Sequence, residues 1–206
     1  MKELFITFEG IDGCGKTTQA ERLAAYVSSR GRDIVLTREP GGTSVSEKIR
    51  TILLDRANDG MMWLTEMFLY MASRAQHTEQ IIRPALQNGV MVISDRYMDA
   101  TLAYQGYGRG LDRKVIRGLN SVATSGLVPH LTFLIDLDPK TCCRRMAGMN
   151  KKADRLETAG LDFQKRVREG YLEIATEEAA RFRVLDGARG IDELEHEVQR
   201  MVEPFL

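Results

Sequence analysis

Residues 10–17 read Gly10-Ile11-Asp12-Gly13-Cys14-Gly15-Lys16-Thr17, and no other stretch constrains this chain as tightly. They sit between the apolar run 4–8 and an amphipathic segment that starts at Thr17. Glycines at this spacing let successive backbone N–H groups converge on one point, and a helix that begins where the loop ends adds the positive pole of its dipole. Lys16 can reach terminal phosphates, the Thr17 hydroxyl suits Mg²⁺, and Thr18 carries the cradle into the helix. A loop of this kind needs a buried strand before it and a helix after it, which directs the chain toward an α/β fold. Alone, it does not choose between a kinase, a GTPase and an ATPase.

The remaining periodicity agrees with that demand. Short apolar runs at 33–40, 90–95, 131–137 and 182–187 read as further strands, separated by longer segments of helical period. Ala20, Leu23, Ala24 and Val27 form one helical stripe that Gly31 ends, and Ile191, Leu194, Val198 and Met201 form another. Helices are also predicted over 44–55, 64–89 and about 162–180, with Pro84 kinking or breaking the second. Met61, Met62, Met67 and Met71 read as core filler, and His77 as a hydrogen-bonded structural residue. Alternation of this kind describes one doubly wound parallel sheet flanked by helices, a single domain over 1–206, with ligands at the carboxyl ends of the strands. The stretch 147–160 lacks a period and reads as a short mobile lid.

Composition narrows the partners. Lys+Arg and Asp+Glu both number 29, so the basic excess expected of a nucleic-acid binder is missing. No run approaches the ~20 apolar residues of a membrane helix, and the apolar stretch near the N-terminus is too short for a signal peptide. Cys14, Cys142 and Cys143 have neither disulfide-framework nor zinc-finger spacing, so a reducing cytoplasm is expected. Cys14 reads as a small loop residue that a thiol reagent could reach, and the consecutive Cys142 and Cys143 diverge by ~100° on a helix and carry no role.

The stretch DRYMDATLAYQGYGRG, 95–110, adds a second half to the site. Asp95 ends a strand where a carboxylate can hold the water shell of Mg²⁺, and Arg96 can point across the cleft to another anion. Thr101, Tyr104 and Gln105 offer hydrogen-bonding tips suited to a sugar and a base. The GTPase reading is weak, because NKKAD at 150–154 has its aspartate one place late and does not follow a strand. The ATPase reading lacks a strand ending in Asp-Glu. An acceptor that is a nucleoside would need a base near its hydroxyl, whereas this chain offers arginines, so another monophosphate or deoxynucleoside kinase is the alternative within kinases. A nucleotide-binding regulator without turnover fits poorly with intact Lys16, Thr17, Asp95 and Arg96.

FEGIDGCGKTTQ, TREPGGT, SRAQH, DRYMDATLAYQGYGRG, DLDP, DRLE and VREGYLEIA occur in this order along nearly the whole chain. In this ordered set the chain resembles bacterial thymidylate kinases, which are P-loop nucleoside monophosphate kinases. The resemblance implies a five-stranded parallel sheet, ATP with Mg²⁺ as donor, thymidine monophosphate as acceptor for dTTP synthesis, and a homodimer formed through helices on one face. It implies that Tyr70 stacks on the thymine ring and that Arg74, on the same helical face, hydrogen-bonds a base carbonyl. Thr101 and Gln105 would line the base, and Tyr104 would close against C2′ of the sugar. Arg38, Arg50 and Arg96 would hold the acceptor phosphate. Asp12 would approach acceptor and metal, and Glu39-Pro40 would form the floor as a cis peptide. Ala100 stands where the family usually has serine, and Thr101 where it often has serine or asparagine. Some relatives carry an arginine inside the phosphate loop, where this chain has Asp12-Gly13-Cys14. Lid residues must then complete the charge: Arg155 of DRLE first, Arg144 or Arg145 next, with Lys151 and Lys152 as solvated charge.

Overall fold

The strand that feeds the phosphate loop, β1 (Phe5–Glu9), is buried at every residue. It therefore needs a neighbour on each edge and cover on each face. The computed structural model describes residues 3–148, residue 155 and residues 159–206. It supplies those neighbours through β2 (Ile34–Arg38), β3 (Met91–Asp95), β4 (Leu131–Asp136) and β5 (Phe182–Asp186). The strands make one five-stranded parallel sheet in the order β2-β3-β1-β4-β5. β1 pairs with β3 from Phe5↔Val92 to Phe8↔Asp95, and with β4 from Ile6↔Leu131 to Glu9↔Leu134. That register brings the loop after β1 and the Asp95-Arg96 step after β3 to one edge of the sheet, where crevices form in open α/β sheets.

The described helices are α1 (Lys16–Ser29), α2 (Ser44–Leu54), α3 (Trp63–His77), α4 (Arg83–Gln87), α5 (Met98–Thr101), α6 (Arg113–Ala123), α7 (Pro139–Ala147), α8 (Leu161–Glu177) and α9 (Ile191–Val202). α1 buries the predicted stripe of Ala20, Leu23, Ala24 and Val27. No side chain caps its N-terminus, where Gly15 is left-handed, whereas α2 is capped by the Thr43 hydroxyl accepting from Ser46 N. The first N–H groups of α1 are thus left to an anion. His77 bonds Thr37 Oγ1 at 2.7 Å and Glu39 Oε1 at 3.1 Å, the structural role expected of it.

Several sequence expectations change. The segment 64–89 is not broken at Pro84: α3 passes through a π-helical turn, Thr78–Ile82, directly into α4. A widened turn relieves the clash of the proline ring with the preceding turn. A second π-helical stretch, Leu102–Gly108, continues α5, and α6 follows it; the sequence reading anticipated neither. Met67 and Met71 are core residues, but Met62 is exposed and Met61 only half-buried, because they precede the helix instead of lying on its inner face. Of the proposed lid, residues 149–154 and 156–158, including Lys151 and Lys152, lie outside the described residues.

The segment after β3 is tied to the far side of the sheet by a buried ion pair. Arg181, just before β5, forks Asp99 at 2.7 and 2.9 Å and also donates to Thr132 Oγ1. Asp99→Ala leaves a buried guanidinium short of its main partner while Glu178 still holds its Nε. The expected cost is about 3 kcal/mol, the low end for a broken buried pair. Urea unfolding checks it, and a loss below ~1 kcal/mol would show that the fork contributes no more than an exposed pair.

Candidate active site

The loop is shaped by what crowds it from behind. A Cβ on Gly10 would meet Ile135 O at 2.7 Å, and one on Gly13 would meet Cys142 O at 2.8 Å. Only glycine lets the loop lie this close to β4 and α7, and both residues have positive φ as well. Gly10 and Ile11 form the rear support against β4, while Asp12, Gly13, Cys14, Gly15, Lys16, Thr17 and Thr18 line a cleft along the loop. Cys14 turns inward and is buried, and burial pushes its thiol up, so it is not the reagent-accessible cysteine the sequence suggested. Cys143 is the exposed one.

Two clefts share Asp12, Lys16 and Thr17. The larger, about 720 Å³, runs along the loop toward Arg145, Gly187 and Arg189. The other is walled by Arg38, Glu39, Arg50, Tyr70, Asp95, Arg96, Ala100, Thr101, Tyr104 and Gln105. At the junction, Arg96 Nη2 donates to Asp12 Oδ1 at 2.7 Å and to the Tyr104 hydroxyl at 3.0 Å. Tyr104 in turn donates to Asp12 Oδ2 at 2.9 Å, and Lys16 Nζ lies 3.5 Å from Asp12 Oδ1. Burial would raise the Asp12 carboxyl, but Arg96 and Lys16 outweigh it and hold the group well below the usual carboxylate range. The Thr17 hydroxyl donates to Asp95 Oδ2, and the buried Asp95 Oδ1 has no partner among the described residues.

The predicted acceptor residues differ in their freedom. Arg38 forks Glu47 at 2.8 and 3.1 Å, and Arg50 donates to Pro40 O at 2.8 Å. The Glu39-Pro40 peptide is cis. Arg74 does not reach the cleft wall. It is fully buried behind it, donating to Glu39 Oε2 at 2.8 Å, to Thr101 Oγ1 and Asn120 Oδ1 at 2.9 Å, and to Tyr97 O. Gln105 Nε2 donates to the buried Glu66 Oε1 at 2.8 Å.

The lid arginines are the largest departure. Arg155 is buried against α2 and α3, donating to Leu53 O at 3.0 Å and pairing with Glu66 at 2.6 Å. A fully buried Glu66 carboxylate needs a cation, and Arg155 answers it together with Arg109. Among the described arginines of the lid and its approach, Arg145 lies beside the loop, donating to Cys14 O at 3.4 Å and Gly187 O at 3.2 Å. Arg144 instead bonds Thr141 on its own helix.

Sequence reasoning also passed over Glu9, Glu66 and Tyr171. The Tyr171 hydroxyl accepts from Arg96 Nη1 at 2.9 Å and donates to Glu9 Oε2 at 2.7 Å. Burial and the Asp99 carboxylate raise Glu9 to about 8. The signal was present: a glutamate closing an otherwise apolar strand, and a glutamate on the inner face of a helix.

Comparison with known proteins gives the family and the fold. A family model described as thymidylate kinase matches residues 8–198. The thymidylate kinase of Desulfovibrio desulfuricans is 45% identical over 98% of this chain and 96% of its own length. That of Caldanaerobacter subterraneus is 47% identical over 100% of this chain and 98% of its own. The crystal structure of thymidylate kinase from Ehrlichia chaffeensis superposes with a TM-score of 0.79 at 36% identity, covering 98% of this chain and 99% of that one.

Proposed function

The chain belongs to the thymidylate kinase family, and from that membership and the site's geometry we propose how its residues divide the work. The enzyme transfers the γ-phosphoryl group of ATP to thymidine monophosphate, giving dTDP and ADP. The observation that carries the assignment of roles is the meeting of two clefts at Asp12, Lys16 and Thr17. Donor and acceptor phosphates approach each other there, and catalysis is chiefly positioning and charge neutralisation.

On the donor side, the loop N–H groups and Lys16 hold the β- and γ-phosphates. Mg²⁺ fits Thr17 and Asp95: both offer hard oxygens, and the unpartnered buried Asp95 Oδ1 calls for a cation or its water. The ion, when bound, neutralises charge building between the phosphates. On the acceptor side, Arg96 keeps its Nε–H and one Nη1 hydrogen without a partner among the described residues, and these receive the thymidine monophosphate phosphate. Arg38 and Arg50 complete that anion site from the opposite wall. Tyr70, Thr101 and Gln105 face the base, and Arg74 braces Thr101 and Glu39 from behind. Tyr104, fixed by Asp12 and Arg96, closes against C2′ of the sugar.

Homodimer formation is supported by an apolar face that no described residue covers. Val45 and Ile52 on α2, Leu64 and Phe68 on α3, and Val115 and Val122 on α6 are all exposed, each pair at helical spacing. Their helices adjoin, α2 against α3 and α3 against α6. No helix among the described residues is long and apolar enough to cross a membrane, and the three free thiols suit a reducing cytoplasm.

A coupled ADP-release assay tests the substrate reading: thymidine monophosphate should outpace uridine, cytidine and adenosine monophosphates. Ribothymidine monophosphate should lose at least ~10-fold in kcat/KM, the scale of one steric mismatch in a fitted pocket; equal efficiency would remove Tyr104 from the sugar. Arg145→Ala should lower kcat by about 10²-fold, as for one lost transition-state donor, and Arg155→Ala should lower it far less. A larger loss at Arg155 with unchanged melting temperature would return that task to the lid. Sedimentation should give a dimer that Phe68→Glu with Val122→Glu converts to a folded monomer.

A further inference from the structure

Arg96 has a backbone φ of 73°, a left-handed conformation that non-glycine residues rarely hold. Such a conformation persists only where neighbours over-determine it. Here its N–H bonds Phe8 O at 2.9 Å, and its carbonyl accepts from Ser94 Oγ at 2.7 Å. The next N–H, of Tyr97, donates to Glu9 Oε1 at 2.7 Å. The other oxygen of the same carboxylate accepts from Tyr171, which accepts from the Arg96 guanidinium. One buried side chain thus grips Arg96 at both ends: its backbone through Tyr97 and its guanidinium through Tyr171.

We propose that Glu9 and Tyr171 are positioning residues for phosphoryl transfer, a two-point clamp that fixes Arg96 for the acceptor phosphate. The assignment rests on the reading that Arg96 holds that phosphate. Asp12 and Tyr104 hold Nη2 from the cleft side. Tyr171 holds Nη1 from the core side, where its ring is buried on α8 and packs edge-on to Tyr104 with centroids 6.3 Å apart. The clamp and the Asp12 contacts together leave Nε–H and one Nη1 hydrogen for the phosphate. The clamp's strand end is equally fixed, because Glu9 closes β1 one residue before the loop begins. The loop that grips the donor and the arginine that grips the acceptor are thereby referenced to the same residue.

The test is a double-mutant cycle read by calorimetric binding of thymidine monophosphate and ATP, with steady-state kinetics alongside. Tyr171→Phe keeps the buried ring and removes only the hydroxyl. It should weaken thymidine monophosphate binding about 10-fold, within the range of a charge-assisted hydrogen bond, and leave ATP binding within ~2-fold, because the lost hydroxyl bonds only Arg96 and Glu9. In an Arg96→Ala background the same change should add less than ~2-fold, because its effect passes through Arg96. Glu9→Gln keeps an oxygen for Tyr97 N–H but turns a donor toward Tyr171, and at about pH 9, above the raised Glu9 value of about 8, it should weaken acceptor binding in the same direction. It serves as the deciding variant if Tyr171→Phe does not fold. An equal effect of Tyr171→Phe in both backgrounds overturns the clamp. So does normal acceptor binding by Tyr171→Phe, or by Glu9→Gln where that variant decides, when Arg96→Ala is impaired. Normal acceptor binding by Arg96→Ala overturns the phosphate assignment itself, and the clamp with it.

Discussion

The pairing of β1 between β3 and β4 is the constraint on which the rest of the molecule depends. It seats a wholly buried strand at the centre of the sheet and sets Phe8 opposite Asp95. Everything that handles charge then issues from the carboxyl ends of neighbouring strands: the phosphate loop from one, Asp95 and Arg96 from the other. A register slip of one residue would separate Thr17 from Asp95 and turn each strand's inner side chains outward. The close approaches at Gly10 and Gly13 belong to the same constraint, since β4 and α7 define the space in which the loop can turn.

Around this centre the protein spends its buried charges in pairs. Arg181 answers Asp99, Arg74 answers Glu39, and Arg109 with Arg155 answers Glu66. Each pair fixes a wall of the acceptor cleft from behind, through Thr101, Gln105 or the segment after β3. The arginines that line the clefts, Arg38, Arg96 and Arg145, have other partners: an exposed glutamate, Asp12 with Tyr171, and backbone carbonyls. Facing, not depth, sorts the cations: Arg96 is no more exposed than Arg109, yet it lines a cleft and Arg109 does not.

That sorting explains what was legible in the sequence. The loop, the five strands and the stripe on α1 carry local periodicity and were read to within a residue or two; on α9, Leu194 and Val198 are buried as expected, but Ile191 is exposed and Val202 takes the inner place expected of Met201. Tyr104, Gln105 and Arg96 were legible as a group because one short motif holds them. The π-helical stretches were not legible, since no period marks a widened turn, and α6 was hidden by valines that face outward. Arg74 and Arg155 matched motifs, but a motif does not tell which face of a wall a guanidinium occupies. Tertiary partners decide that, and Glu39 and Glu66 lie 35 and more than 80 residues away from the arginines they hold.

The Asp12–Arg96 contact has a consequence for how the cleft meets its substrate. At 2.7 Å the pair cancels most of its own far field, and the whole chain carries no net charge. An approaching monophosphate therefore meets little long-range attraction until it is inside the cleft. Capture should then depend only weakly on ionic strength, unlike binding to an open basic surface that sheds condensed counterions. The protein carries its own counterion, a fixed carboxylate that already balances Arg96 before any anion arrives.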